Sequence, residues 1–202
     1  MLNAYASGVF PMAETAESEE LHWFSPPLRA ILPLETFHCP QSLAKIIRQK
    51  KFDIRFDGDF AATITGCATA RAETWINATI RDVFCQLHAM DNAHSVEAWQ
   101  DGQLVGGLYG ASLGAAFFGE SMFSLVSNAS RVCLVHLVEK LKQDGFELLD
   151  VQYRNDHLSQ FGIIEIPRTA YEERLAKAVR SRNMWRSPLP NPPPQAGEGI
   201  NR

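Results

Sequence analysis

Apolar residues recur along this chain in two periods, every second position or every third to fourth, and Gly, Pro and Asp separate the blocks. Pro26, Pro27, Pro33 and Pro40 cut the early chain into short pieces. Between them Arg29–Leu34 (RAILPL) predicts a short strand and Gln41–Gln49 (QSLAKIIRQ) a short helix. Lys51–Phe56 (KFDIRF) puts Phe52, Ile54 and Phe56 on one face, the alternation of a strand. Together these predict a small α/β unit. Asp59–Ala70 and Thr79–Asp91 then predict helices, the second with a stripe of Ile80, Val83, Phe84, Leu87 and Met90. Ser95–Gln100, Gln103–Ala111 and Ala115–Met122 predict three strands in sequence. Asp101-Gly102 has the composition of a type I′ hairpin turn, and Gly114 marks the second bend. Gly106, Gly107 and Gly110 crowd one strand, which predicts a bulge or a close approach to its backbone.

Ser127–Ser130 (SNAS) is rich in helix-capping types, and the helix after it carries Val132, Leu134, Val135, Leu137, Val138 and Leu141 before Gly145. Glu147–Tyr153 predicts a further strand and Tyr171–Val179 a last helix. A long helix between strands predicts a mixed sheet with helices on its faces. From Ser187 the chain is Pro-rich and lacks the apolar surface to offset ordering. The expected division is an N-terminal α/β unit at 1–59, a larger α/β domain at 60–180 and a disordered tail at 181–202.

Composition narrows the classes. Of 202 residues 46% are hydrophobic, and nothing approaches the ~20 consecutive apolar positions of a membrane helix. The start lacks the pattern of a secretory signal, so a cytoplasmic protein with no membrane association is expected. Cys39, Cys67, Cys85 and Cys133 form no close pair, which predicts reduced, mostly interior thiols. The six histidines show no H-x-H or H-x-x-x-H spacing, and no metal site is expected. The net charge of −4 argues against nonspecific nucleic-acid binding, but its distribution is uneven. Glu14, Glu17, Glu19 and Glu20 form an acidic stretch. Lys45, Arg48, Lys50, Lys51 and Arg55 face Asp53 alone; taken by itself, that cluster suits a solvated helix end as well as a phosphate-facing patch.

The element order resembles the GNAT acyltransferase core. Coenzyme A binding in that fold needs a Gly-rich turn before the central helix, and Ser124–Arg131 contains no glycine, so coenzyme A is not the expected donor. Longer strings are more specific. Ala4–Pro11 (AYASGVFP), Trp23–Pro26 (WFSP), Glu73–Ile76 (ETWI), His94–Glu97 (HSVE), Leu104–Gly110 (LVGGLYG) and Phe118–Ser124 (FGESMFS) resemble, in order and spacing, the leucyl/phenylalanyl-tRNA–protein transferase family. Asn128–Ser130 (NAS), Leu149–Gln152 (LDVQ), Asn155–Leu158 (NDHL) and Ile166–Arg168 (IPR) continue the likeness, which spans about Ala4 to Val179. The chain begins almost on the first string, so a shortened N-terminus is expected. Met12 stands where many members of the family have Trp.

The resemblance implies an enzyme that moves Leu or Phe, with Met as a further donor, from aminoacyl-tRNA to proteins beginning with Arg or Lys, marking them for degradation. The partners would be aminoacyl-tRNA and those proteins. The donor ester is already activated, so the enzyme must hold an amine against a carbonyl, and neither a cofactor nor a covalent intermediate is needed. Asp150 and Gln152, two apart on a predicted strand, would form the catalytic pair, with Gln152 orienting the amine and Asp150 polarising the network. Glu120, a carboxylate in an apolar strand, would receive the acceptor's cationic residue; an internal ion pair with an arginine is the alternative. Leu108 and Phe117 match donor-pocket positions, and Trp75 and Met12 match positions at the terminal adenosine. The Lys45–Arg55 cluster would contact tRNA phosphates. Two rival functions are a coenzyme A-dependent GNAT acetyltransferase and a degenerate, noncatalytic tRNA- or peptide-binding module.

Overall fold

In the computed structural model, residues 1–18, 20–70 and 73–186 are described. A short helix α1 (Leu2–Ala6) leads into a separate two-stranded antiparallel ribbon of β1 (Phe10–Ala13) and β2 (Leu21–Phe24). The remaining strands form one seven-stranded sheet. They are β3 (Leu28–Ile31), β4 (Asp53–Phe56), β5 (Ala93–Gln100), β6 (Gln103–Leu113), β7 (Ala116–Ser124), β8 (Leu148–Gln152) and β9 (Ile164–Pro167). Their order across the sheet is β4-β5-β6-β7-β8-β3-β9. All pairings are antiparallel except β7 with β8. The sheet is therefore mixed, and a helix joins its one parallel pair, as a crossover requires.

That helix is α5 (Ala129–Asp144). With α2 (Gln41–Arg48) it covers one face of the sheet, over Val96, Leu108, Phe117 and Leu149. On the other face α3 (Phe60–Thr69), α4 (Ala78–Ala89) and α7 (Arg168–Arg180) cover Tyr109, Phe118 and Phe123. Neighbours such as Leu108 and Tyr109, or Phe117 and Phe118, fall into opposite cores, the alternation a sheet buried on both faces imposes. The side chains of Asp59 and Asn77 cap α3 and α4 by accepting from Ala62 N and Ile80 N. Asp101 and Gly102 both have positive φ, 51° and 76°, as the predicted I′ turn demands.

Three expectations meet a more particular structure. The residues assigned to a separate unit at 1–59 supply β3 and β4, and both are hydrogen-bonded into the main sheet. Residues 181–186 are packed rather than loose, because Trp185 has apolar surface to bury: it stacks on His94 with centroids 4.4 Å apart and is 8% exposed. The Pro-rich stretch from 187 lies outside the described residues. At the start of α5, the SNAS segment supplies no side-chain cap. Asn128 adopts φ 69°, and Ser124 Oγ from the preceding strand takes the Ser130 N–H at 2.9 Å.

Candidate active site

A cleft of about 740 Å³ opens between β1, the ends of β6–β8 and the first turns of α5. Its walls are largely apolar and include Met12, Trp75, Leu108, Met122, Leu134 and Leu137. Glu120 and Gln152 bring polar groups into it, and Arg131 of α5 lies at its lining. Of the residues expected from sequence, Met12, Trp75, Leu108, Glu120 and Gln152 thus share one cavity. Phe117 does not line it. Its ring is fully buried on the α5 face, against Phe146 and Trp185. Phe117 lies near the start of β7, whereas the cleft takes Gly119–Ser124 from the later part of that strand.

Asp150 is wholly buried beneath the cleft, and every acceptor direction of its carboxylate is in use. Arg29 Nε donates to Oδ1 at 2.9 Å and Nη2 to Oδ2 at 2.6 Å. Tyr171 Oη donates to Oδ2 at 2.8 Å, and the Gln152 N–H donates to Oδ1 at 2.9 Å. Arg29 is itself 2% exposed and lies between the rings of Phe10 and Tyr171, 4.3 and 4.6 Å from their centroids. Its remaining Nη1 donates to the Gly8 carbonyl. A buried ion pair holds its place when further hydrogen bonds satisfy both ions, and here they do. Burial and the adjacent Asp150 charge push the Tyr171 hydroxyl far up, so it stays a donor.

The consequence appears at Gln152. Asp150 fixes its backbone N–H, and the residue adopts φ 58°, where the β3–β8 register shifts. A non-glycine residue in this region costs about 1 kcal/mol or more and persists where its surroundings enforce it. The turn brings the Gln152 side chain to Glu120, whose Oε1 accepts from Gln152 Nε2 at 3.2 Å and from Tyr5 Oη at 2.7 Å. With Nε2 so engaged, Gln152 Oε1 is the acceptor left for a substrate. Burial, the largest influence, raises the Glu120 carboxyl to about 8, and the Asp150 charge adds to it, while Tyr5 and Arg29 oppose. The shift favours the protonated form of Glu120 at neutral pH. Arg29 is spent on Asp150, so the alternative of a Glu120–arginine ion pair is not what forms.

Sequence reasoning passed over Tyr5, Arg29 and Tyr171. A signal for Arg29 was present: a cation inside an otherwise apolar strand needs a buried anion. The basic cluster lies apart from the cleft. Lys45 and Arg48 are exposed on α2, Lys50 and Lys51 follow it, and Arg55 is on the edge strand β4. Arg55 pairs with Asp53 at 2.8 Å and stacks over Trp99. Two of the six histidines, unpromising by spacing, nonetheless meet: His88 and His94 lie together with Asp57, and none of the three lines the cleft. No described helix is long and apolar enough to cross a membrane.

The family description for the leucyl/phenylalanyl-tRNA protein transferase matches residues 31–176, and that for its N-terminal domain matches residues 1–27. The leucyl/phenylalanyl-tRNA–protein transferase of Paramagnetospirillum magneticum (strain ATCC 700264 / AMB-1) is 55% identical over 182 residues, 89% of this chain and 87% of that protein. Among solved structures, a functionally unknown conserved protein from Staphylococcus epidermidis ATCC 12228 aligns at 12% identity and TM-score 0.45, over 69% of this chain and 57% of that one. The profile matches and the 55% identical relative show that this chain belongs to the leucyl/phenylalanyl-tRNA protein transferase family, an aminoacyltransferase family.

Proposed function

We propose that the cleft transfers leucyl or phenylalanyl from tRNA to the α-amine of a protein beginning with Arg or Lys, and that Gln152 holds the attacking amine. The observation that carries this reading is the Gln152–Glu120 hydrogen bond, which puts a free amide oxygen beside a carboxyl in a cleft with largely apolar walls. The apolar walls suit the donor's side chain, with Leu108 and Met122 among them. They separate Leu from smaller aliphatic residues through shape alone, a matter of about 1–3 kcal/mol per methylene. Trp75 and Met12 offer a face for the terminal base, the thioether giving less stacking surface than a second ring would. Arg131 lies at the cleft lining, where a terminal phosphate would pass.

In the reaction the amine nitrogen forms a C–N bond with the ester carbonyl carbon, and the bond to the ribose oxygen breaks. The proton lost from nitrogen ends on that leaving oxygen. Gln152 Oε1 accepts one amine hydrogen and aims the lone pair. Asp150 touches no substrate; it is a positioning residue that sets the backbone of Gln152. Gln is too weak a base to remove the proton itself, so its contribution is orientation. The acceptor's cation meets Glu120 and draws it into its charged form, giving a charge-assisted contact.

The test is single-turnover transfer from Leu-tRNA to a peptide beginning with Arg. Gln152→Ala is expected to slow transfer by about 100-fold while leaving the melting temperature and tRNA affinity unchanged. A rate within about twofold of wild type overturns the assignment.

A further inference from the structure

Where β4 stops at Phe56, the outer edge of β5 continues past its strand partner, and Asp57 folds back over it. Asp57 adopts φ 56°. Its N–H donates to the Ser95 carbonyl at 3.1 Å, and the Ser95 N–H donates to Asp57 Oδ1 at 2.8 Å. This reciprocal clamp aims the carboxylate at two imidazoles. His94 Nδ1 is 3.1 Å from Oδ2, and His88 Nδ1 is 3.9 Å from Oδ1. The three donor atoms lie within 4.8 Å of one another and come from the turn before α3, the last turn of α4 and the start of β5.

We propose that Asp57, His88 and His94 bind a divalent transition-metal ion of the zinc class. Two imidazoles and one carboxylate form a borderline-soft donor set, which suits zinc, cobalt or nickel and not the all-oxygen preference of calcium or magnesium. Zinc holds such donors at about 2.0–2.2 Å, so two donors on one tetrahedral ion stand roughly 3.4 Å apart. The Asp57–His94 separation, 3.1 Å, is close to that value. The three donor atoms lie within 4.8 Å of one another, so His88 has to approach by up to roughly 1.4 Å to complete it, and its side chain is 32% exposed at a helix end. Both rings are otherwise held in plane: His88 stacks on Phe60 and His94 on Trp185, each with centroids 4.4 Å apart.

The surroundings of His94 match those of a metal-bound imidazole. With Nδ1 on the ion, its Nε2–H donates to Ser112 Oγ, 3.1 Å away, the outer hydrogen bond that fixes a ligating ring. In the metal-free protein His88 Nδ1–H donates to the Ala93 carbonyl at 2.8 Å, so an ion at Nδ1 breaks that bond and shifts the ring proton to Nε2. None of the three residues lines the cleft. The ion's place is a clasp at an open sheet edge, joining the β4–α3 turn, α4 and β5.

The experiment uses the full, untagged chain with zinc chloride in chelator-free buffer, followed by calorimetry, and cobalt chloride as an optical probe. One equivalent of zinc is expected with a micromolar Kd, and the cobalt spectrum should show tetrahedral bands without thiolate charge transfer. Asp57→Asn keeps a residue that tolerates positive φ and still accepts from Ser95. That variant and His88→Gln should each weaken zinc binding more than about tenfold, whereas His136→Gln, a histidine on α5, should not. Circular dichroism checks that each variant is folded. Absence of stoichiometric binding at 100-fold excess zinc, equal binding in both ligand variants, or thiolate bands from cobalt would each overturn the site.

Discussion

Glu120 shows how one side chain can set both pH behaviour and acceptor choice. Its carboxyl is raised from 4.5 to about 8, chiefly by burial, so folding takes up a proton between those values. The contribution to stability therefore falls as pH rises through that window, by a few kcal/mol at about 1.4 kcal/mol per unit. Glu120→Gln removes the titration and keeps the shape. Its melting temperature is expected to gain on wild type steadily from pH 5 to pH 8; a pH-independent difference would mean that Glu120 is ionised in the empty cleft. The same variant should lose transfer to Arg- and Lys-starting peptides, because a charge-assisted hydrogen bond is worth roughly 1.5–3 kcal/mol. Its sequence neighbours Gly119 and Ser121 made Glu120 visible as an odd carboxylate in an apolar strand. Asp150 and Gln152 were visible through the LDVQ string. Their division of labour was not, because it rests on Arg29 and Tyr171, which meet Asp150 from 121 and 21 residues away in the chain.

At the level of elements, hydrophobic periodicity and turn residues located most of the main sheet and its long helices, short strands such as β3 and β4 included. They missed β1, β2 and β9, whose apolar positions make sense only beside their partners. The glycines of β6 left a bulge and a close approach both open, and the strand contains both. The β5 pairing shifts between Ala98 and Trp99, and that of β7 shifts between Tyr109 and Gly110. A Cβ on Gly106 would come within 2.4 Å of Ala129 Cβ, the first residue of α5. Helix α5 thus rests on bare backbone at the end that borders the cleft. Gly106→Ala is expected to cost about 1–3 kcal/mol of stability, the usual result of overpacking. It should also slow transfer by displacing Ser130 and Arg131, and denaturant unfolding beside single-turnover kinetics would check both effects.

For the whole molecule, the cleft and the basic cluster are separated by about half the width of the sheet. From β4 to β7 is three strand steps, about 14 Å, so an RNA engaging both must lie across the α2–α5 face. Replacing Lys50 and Lys51 with Ala should weaken tRNA binding and flatten its salt dependence by about two counterions' worth, measured as the slope of log K against log salt. An unchanged slope would place the RNA elsewhere. The strand order was the part least legible from sequence. Antiparallel hairpins β5–β6–β7 follow from short turns, but nothing in the local pattern of β3 says that it enters between β8 and β9. That insertion has a consequence for how the protein is made. Leu28–Ile31 leaves the ribosome early, yet both strands that flank it arrive more than a hundred residues later. Until then its two edges and the Arg29 cation have no partners, and loop closure over that span is slow. Synthesis must pass Tyr171 before the Arg29–Asp150–Tyr171 cluster can form, so a chain cut short between Gln152 and Tyr171 carries the Asp150 carboxylate without the hydroxyl that completes its hydrogen bonds.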